Sequence, residues 1–355
     1  MAKIAVIGAG VLGASVAWHL AQGGHSVSMF DPVPGGVASP GSFAWLNASF
    51  AEDPVYNRLR HDSLECWVGL TQTYPDAPVR FPGALLWEQD HFDLPEILKS
   101  QHILGREAAM VTSGQIAERE PALSSPPDKA LLLAQDGYGE PVEITAWFLK
   151  QAQAAGARLI ETEVTQVQTE DGRITGIETT AGQHDADHVI VCAGIGLSEL
   201  LSKLGLELAM HNEPGMLATT SAAPKTLNAM LATPSVHVWQ GEDGRYLMGA
   251  DFGGTLEAPE PVAEAQGLVH ALQDLLPVAL DVKVESTTVR DRPKPVDGRP
   301  AIGPLGPNGL YVVSTHSGMT LAPLIGQMCA NEVGNGQPDA RLAPYRPDRA
   351  ALRVG

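Results

Sequence analysis

The chain has 355 residues, 44% of them apolar and 18% charged, enough for two packed domains at about 150 residues each. Twenty-three Lys and Arg stand against forty-one Asp and Glu, a net charge of −18, which disfavours binding to nucleic-acid phosphates or anionic lipid. The acids are scattered through ordinary apolar content, so the chain is not intrinsically disordered.

The first element is a short apolar strand, Lys3 to Ile7, followed by Gly8-Ala9-Gly10-Val11-Leu12-Gly13 and a helix from Val11 to Gln22. Gly23-Gly24 stops that helix, and Val27 to Phe30 forms a second strand with Asp31 at its carboxyl end. Strand, turn, helix and strand within about thirty residues make a βαβ unit. A Pro- and Gly-rich loop from Pro32 to Gly41 leads to a helix over Pro54 to Tyr74, carrying Tyr56, Leu59, Leu64, Trp67, Val68 and Leu70. Residues 75 to 138 hold the weakest patterning, with strands at Ala84 to Trp87 and Ala130 to Leu133 and a helix or two. Pro141 to Ala155 is again helical and ends at Gly156.

Next come a strand from Arg158 to Ile160, a β-rich stretch with an Asp171-Gly172 hairpin turn, and a strand from His188 to Cys192. Residues 207 to 256 read as antiparallel strands, Pro261 to Leu276 as a helix and Val282 to Val289 as a β-branched run. Tyr311 to Val313 is the last strand, Gly318 to Val333 the last long helix, and the charged tail after Gly334 is expected to be loose. Parallel-strand signals gather at the two ends and around 188 to 194, with antiparallel signals between them. The expected organisation is an α/β fold, its nucleotide-binding domain built from 1–75, 141–206 and 290–355. A second domain, 76–140 and 207–289, is inserted through it on a mostly antiparallel sheet.

Cys66, Cys192 and Cys329 are widely spaced and form no CxxC pair, so neither a disulfide framework nor a zinc or other metal site is expected. Ile4 to Leu20 is too rich in glycine, and too poor in preceding basic charge, for a signal peptide. No apolar stretch is long enough to span a bilayer, and a cytoplasmic location is expected. Self-association into a homo-oligomer stays open.

Gly8-x-Gly10-x-x-Gly13 between a strand and a helix lets backbone amides approach a pyrophosphate and aims a positive helix terminus at it. Asp31, eighteen residues beyond Gly13, is placed to accept hydrogen bonds from a ribose, and its charge argues against a 2′-phosphate. This pattern by itself leaves FAD and NAD both open.

Further segments follow in order: Ala38-Ser39-Pro40-Gly41-Ser42, Glu163-Val164-Thr165, Val189 to Gly194, Arg292 to Gly303 and Gly318 to Gly326. Together they resemble the FAD-dependent D-amino-acid oxidase superfamily, in layout glycine oxidase, sarcosine oxidase and D-amino acid dehydrogenase. The resemblance implies a discontinuous Rossmann-like FAD domain with an inserted α+β substrate domain. Its implied cofactor contacts are Gly8, Gly10, Val11, Leu12 and Gly13 for the pyrophosphate, Asp31 for the ribose, and Ser39 near phosphate and flavin. Val164 would pair with adenine through its backbone, Ala193 and Gly194 would close over the dinucleotide, and Gly318, Met319 and Thr320 would face the flavin with a helix amino end. Non-covalent FAD is expected, since no cysteine stands where relatives attach flavin covalently.

For the substrate, a small amine or amino acid, Arg292 falls where amino-acid-oxidising relatives pair with a carboxylate. His316 falls where some relatives carry a polar or basic group near the flavin, His237 where glycine oxidase-like members have a substrate-facing Tyr, and Trp45, Asn47 and Trp239 are candidate pocket walls. The implied reaction is oxidation of a C–N bond to an imine, which hydrolyses; it needs orientation and a neutral amine more than a dedicated base. A hydroxy-acid dehydrogenase of the same fold and a flavin-binding module without turnover are the alternatives. Two features depart from the family. Leu247 stands where sarcosine oxidase-type members carry an oxygen-activating lysine, which favours another acceptor, and Phe43 to Asn47 is bulkier than usual.

Overall fold

The structure is a computed structural model that describes residues 1–49, 53–88, 92–249, 261–279 and 281–353. Six strands form one sheet in the order Ala301–Pro304, Leu310–Ser314, His188–Val191, Lys3–Ile7, Ser26–Phe30 and Arg158–Ile160. All neighbours are parallel except the first pair. Alternation explains why Lys3–Ile7 is apolar throughout: Ile4 and Val6 point into a helical layer, Ala5 and Ile7 into a layer on the other face. The helical layer contains Val11–Gln22, Pro54–Thr73, Pro141–Ala154 and Gly318–Cys329, with Trp18, Trp67, Trp147 and Phe148 at its centre. The opposite layer is a three-stranded antiparallel sheet, Val164–Glu170, Arg173–Thr179 and Gly182–Asp185. The expected turn joins its first two strands, with Asp171 and Gly172 both at positive φ.

A second sheet has eight strands, from the edge strand Val284–Pro295 through Met210–Thr220, Tyr246–Gly249, His237–Gln240, Met230–Ala232, Ala84–Leu86 and Lys129–Leu133 to Ala108–Thr112. Its two faces divide the labour. Ala218, Val238 and Met248 pack under the helix Pro261–Leu275, while Leu217, Trp239 and Leu247 join Phe43 and Trp45 on the other side.

Several expectations change. Val282 to Val289 was expected to end before 290, but the strand runs to Pro295 across the anticipated domain division. It tolerates Pro293 and Pro295 because it is an edge strand and lacks a neighbour on one side. The segment 75–138 also holds strands at Val79–Arg80, Ala108–Thr112 and Gly137–Gly139, and helices at Leu94–Ile103 and Ser113–Arg119. Of the antiparallel stretch expected over 207–256, residues 250–256 lie outside the described residues. Over its described residues, to Arg353, the tail after Gly334 is not loose. Ala340–Tyr345 forms a short helix with Leu342 and Tyr345 buried, Arg346 pairs with Glu332, and Arg349 grips Asp297 with two bonds of 2.8 Å.

The closing helix Gly318–Cys329 is buried on nearly every side and carries Pro323 inside it. Proline has no N–H, so it leaves the carbonyl of Met319, four residues back, without its helical donor. Trp67 Nε1 donates to that oxygen at 3.0 Å, Ser63 donates to the Thr320 carbonyl and Ser15 to that of Ala322, both at 2.7 Å. Close crossing with the first helix depends on Gly326, where a Cβ would fall 2.4 Å from Ser15 Oγ and 2.5 Å from His19 Nδ1.

Trp67→Phe should cost about 1–2 kcal/mol in urea unfolding, because it orphans a buried carbonyl. In a Pro323→Ala background the new N–H serves that carbonyl, so the same change should cost measurably less; equal costs in both backgrounds would contradict this account. At the same crossing, burial pushes His19 down to about 4, opposed in part by its 2.8 Å bond to the Ser15 carbonyl. Its folded pKa lies below its unfolded value, so its contribution to stability is complete above pH 6.5 and is lost as pH falls toward 4. His19→Gln should flatten the loss of stability between pH 6.5 and 4, by at most about 1.4 kcal/mol per pH unit. Parallel stability curves for the two proteins would refute it.

Candidate functional site

The carboxyl end of the central strand Lys3–Ile7 lies where the chain leaves to one neighbour, Ser26–Phe30, while the other, His188–Val191, comes from far along the sequence. Crevices form at such points in open α/β sheets. Gly8 turns the chain there at φ +101°, and a Cβ on it would fall 2.4 Å from the Cys192 carbonyl. Gly13 serves packing instead: its Cβ would meet the Gly8 carbonyl at 1.9 Å, and it does not line the crevice. The third glycine of the motif therefore sets the approach of helix to strand, while Gly10, Val11 and Leu12 border the open space.

Asp31 organises this turn. Oδ2 accepts from the Ala9 amide at 2.7 Å and Oδ1 from the Val33 amide at 2.8 Å. An ionised carboxylate has about four acceptor sites, so two remain for hydroxyl groups. Ser39 Oγ accepts from the Val11 amide at 3.1 Å and so sits at the amino end of the first helix.

One cavity of about 1120 Å³ joins this turn to Val164, Ala193 and Gly194, and farther along to Gly318, Met319 and Thr320. It exceeds the roughly 300–1,000 Å³ of a pocket for one drug-sized ligand. Two helix amino ends open on it, those of Val11–Gln22 and Gly318–Cys329. Two positive helix ends suit a long ligand that presents negative or electron-rich groups at two separate places. The side chains fit FAD: a backbone cradle for a pyrophosphate, a carboxylate for a ribose, and a second helix terminus for the electron-rich ring.

The remaining wall belongs to the eight-stranded sheet and the helix Pro54–Thr73. Arg292, half-buried on the edge strand, lines the cavity, with Nη2 3.5 Å from the Pro214 carbonyl. Gly215 lies beneath it, where a Cβ would come 3.1 Å from Nε. His316 faces the cavity next to the closing helix, its Nε2 3.2 Å from Ser317 Oγ. Crowding by protein, then the positive charges of Arg60, Lys294 and Arg292, lower its pKa. The ring is exposed to the open cavity, which tempers the lowering but leaves its direction.

His237 is buried in the wall and its Nε2 meets Glu88 Oε2 at 2.5 Å. Trp45 lines the cavity with its indole N–H given to Asp136 at 2.8 Å, and Asn47 lines it with Oδ1 accepting from Arg60 at 2.7 Å. Trp239 is a correction. It lies off the cavity, stacked on Tyr138 and donating to the Phe43 carbonyl at 2.9 Å, because it belongs to the core between sheet and loop. Leu247 packs in that same core.

Sequence reasoning missed Glu88 and Arg60. Glu88 follows a short strand with no local signal. Arg60 had one: it shares a helical face with Tyr56, Leu64 and Trp67, and a charge on an apolar stripe demands a reason.

Fold and cavity define a dinucleotide-binding oxidoreductase whose cavity has one wall on a second sheet. A family model described as FAD dependent oxidoreductase matches residues 3–332, and the chain belongs to that family. It is similar to glycine oxidase of Geobacillus kaustophilus, 25% identical over 99% of this chain and 98% of that protein. Glycine oxidase of Pseudomonas aeruginosa is 27% identical over 97% of this chain and 98% of its own. D-amino acid dehydrogenase of Bradyrhizobium diazoefficiens is 28% identical over 71% and 61%. The crystal structure of the G. kaustophilus glycine oxidase superposes with a TM-score of 0.86, at 24% identity and complete coverage of both chains. The cofactor of the family is FAD.

Asp31→Ala removes the acceptor for two amides of the turn. The affinity of the apoprotein for FAD, read by quenching of flavin fluorescence, should fall roughly tenfold or more, about 1.4 kcal/mol. Unchanged affinity would show that the carboxylate only tidies the loop.

Proposed function

We propose that this chain oxidises the C–N bond of an amino acid or N-alkylated amine to an imine, which water then hydrolyses. The observation that carries the reading is Arg292 in the wall of the cavity onto which the closing helix opens its amino end. When bound, FAD supplies the acceptor for a hydride from the substrate's α-carbon. Arg292 holds the substrate carboxylate with a planar fork and thereby sets the distance and angle of the α-carbon. His316, kept neutral by burial and then by its cationic neighbours, does not compete as a positive charge with the substrate amine. The buried faces of Phe43 and Trp45 exclude water from one side.

FAD is held without a covalent bond in this reading. Cys192 borders the cavity, but burial pushes its thiol up to about 12, and a protonated thiol is a poor nucleophile. The cofactor part comprises 1–75, 141–206 and the chain from about 296 onward. The substrate part comprises 76–140 and 207–295, with the division moved to the end of the long edge strand.

The FAD-loaded protein, mixed without oxygen with glycine, sarcosine, D-amino acids or N-methyl amines, should lose its yellow absorbance with at least one of them. Failure with every amine, or bleaching only by 2-hydroxy acids, would overturn the proposal. Arg292→Ala should raise KM for a carboxylate-bearing substrate at least tenfold, with a smaller effect on kcat.

A further inference from the structure

Arg60 carries a charge that the reaction proposed above does not use. It is 6% exposed, sits on the helix Pro54–Thr73 and lines the cavity. Its Nε donates to the Asn47 carbonyl at 3.1 Å and Nη2 to Asn47 Oδ1 at 2.7 Å, both neutral acceptors. Among the described residues no carboxylate lies within ion-pairing distance of it. Its electrostatic counterweights are the Tyr56 ring, whose centroid lies 5.7 Å from the guanidinium carbon, and then Asp136, a carboxylate already taken by Arg106 at 2.9 Å and the Trp45 indole at 2.8 Å. Two guanidiniums thus share one buried carboxylate, and a positive charge is left over in the cavity wall. Burying an uncompensated charge is costly unless a ligand completes it.

The position narrows what that ligand is. Asn47, which Arg60 holds, is two residues from Trp45, whose carbonyl accepts from Thr320 Oγ1 at 3.3 Å. Arg60 is therefore at the closing-helix end of the cavity, away from the phosphate cradle at Gly8. Arg292 enters the same cavity from the edge strand of the sheet, and His316 lies within the electrostatic reach of both. Of the acids on this side of the cavity, Glu88 is met by His237 and Asp53 by Arg299 at 2.9 Å.

We propose that the substrate carries two carboxylates, one held by Arg292 and the second by Arg60, so that the preferred amine is an amino- or imino-dicarboxylate. This rests on the amine-oxidising reading and sharpens it. The fixed Asn47 clasp leaves Nη1 of Arg60 to meet the second carboxylate, and the pairing neutralises the surplus charge. A monocarboxylate amine fills only one clamp.

Binding can be read without turnover, from the shift of the flavin's visible spectrum in FAD-loaded protein titrated with glutarate and with butyrate, which cannot be oxidised at a C–N bond. Glutarate should bind at least tenfold more tightly at equal ionic strength; equal affinities would overturn the inference, and this comparison needs only the wild-type protein. In Arg60→Met the advantage should vanish while butyrate changes less than twofold. If both ligands weaken alike, or the advantage survives while the flavin reduction potential shifts, Arg60 serves the first carboxylate or the cofactor, and the inference fails. In turnover, iminodiacetate or D-glutamate should exceed sarcosine or D-2-aminobutyrate tenfold in kcat/KM. The reverse order sinks the second clamp alone, whereas no bleaching by any amine sinks the amine reading beneath it.

Discussion

Backbone-to-backbone closeness between the first helix and the last governs this molecule. Gly326 admits Ser15 and His19 into the space a side chain would fill, and Gly13 admits the Gly8 carbonyl. These contacts bring an N-terminal and a C-terminal segment into one layer and set two helix amino ends on one cavity. Pro323 adds a cost, a freed carbonyl in a buried helix, and Trp67 offsets it from a third helix. Hydrogen-bond satisfaction thus ties Pro54–Thr73 to the closing helix, and with it every side chain that the former presents to the cavity.

The electrostatics follow from that assembly. The chain carries −18 overall, yet the end of the cavity by the closing helix gathers Arg60, Arg292 and Lys294. Lys294 is spent on Glu213 at 2.9 Å, while Arg60 donates to the neutral oxygens of Asn47. An acidic exterior repels anions at long range, but screening confines that effect to about 10 Å in ordinary salt. Inside, a few fixed cations decide what binds. Preorganised charge of this kind is paid for in folding and returned on ligand binding.

The glycine motif, its strand and helix, and Asp31 were legible because local chemistry dictates them: only glycine fits the turn, and the periodicity changes visibly from strand to helix. The family was legible in a set of segments that follow one another in order. The middle of the chain was not. Strands such as Val79–Arg80 and Gly137–Gly139 are two or three residues long and take their form from partners distant in sequence. The ordered tail escaped notice for the same reason, since Tyr345, Arg346 and Arg349 are held by residues of other segments. Trp239 shows a further limit: sequence placed it on the right strand, but neighbours decide whether an aromatic ring faces a cavity or a core.

Sequence by itself determined the class of fold, the glycine turn, the acid that braces it and the presence of an arginine on the strand after residue 284. Each depends on residues close together along the chain, or on a motif whose backbone needs leave little choice. Tertiary structure decided which charges share a wall. Arg60 and Arg292 lie 232 positions apart, and Glu88 and His237 149 apart, so only folding brings either pair to the same cavity. Burial then turned an ordinary helical arginine into a charge in want of a partner.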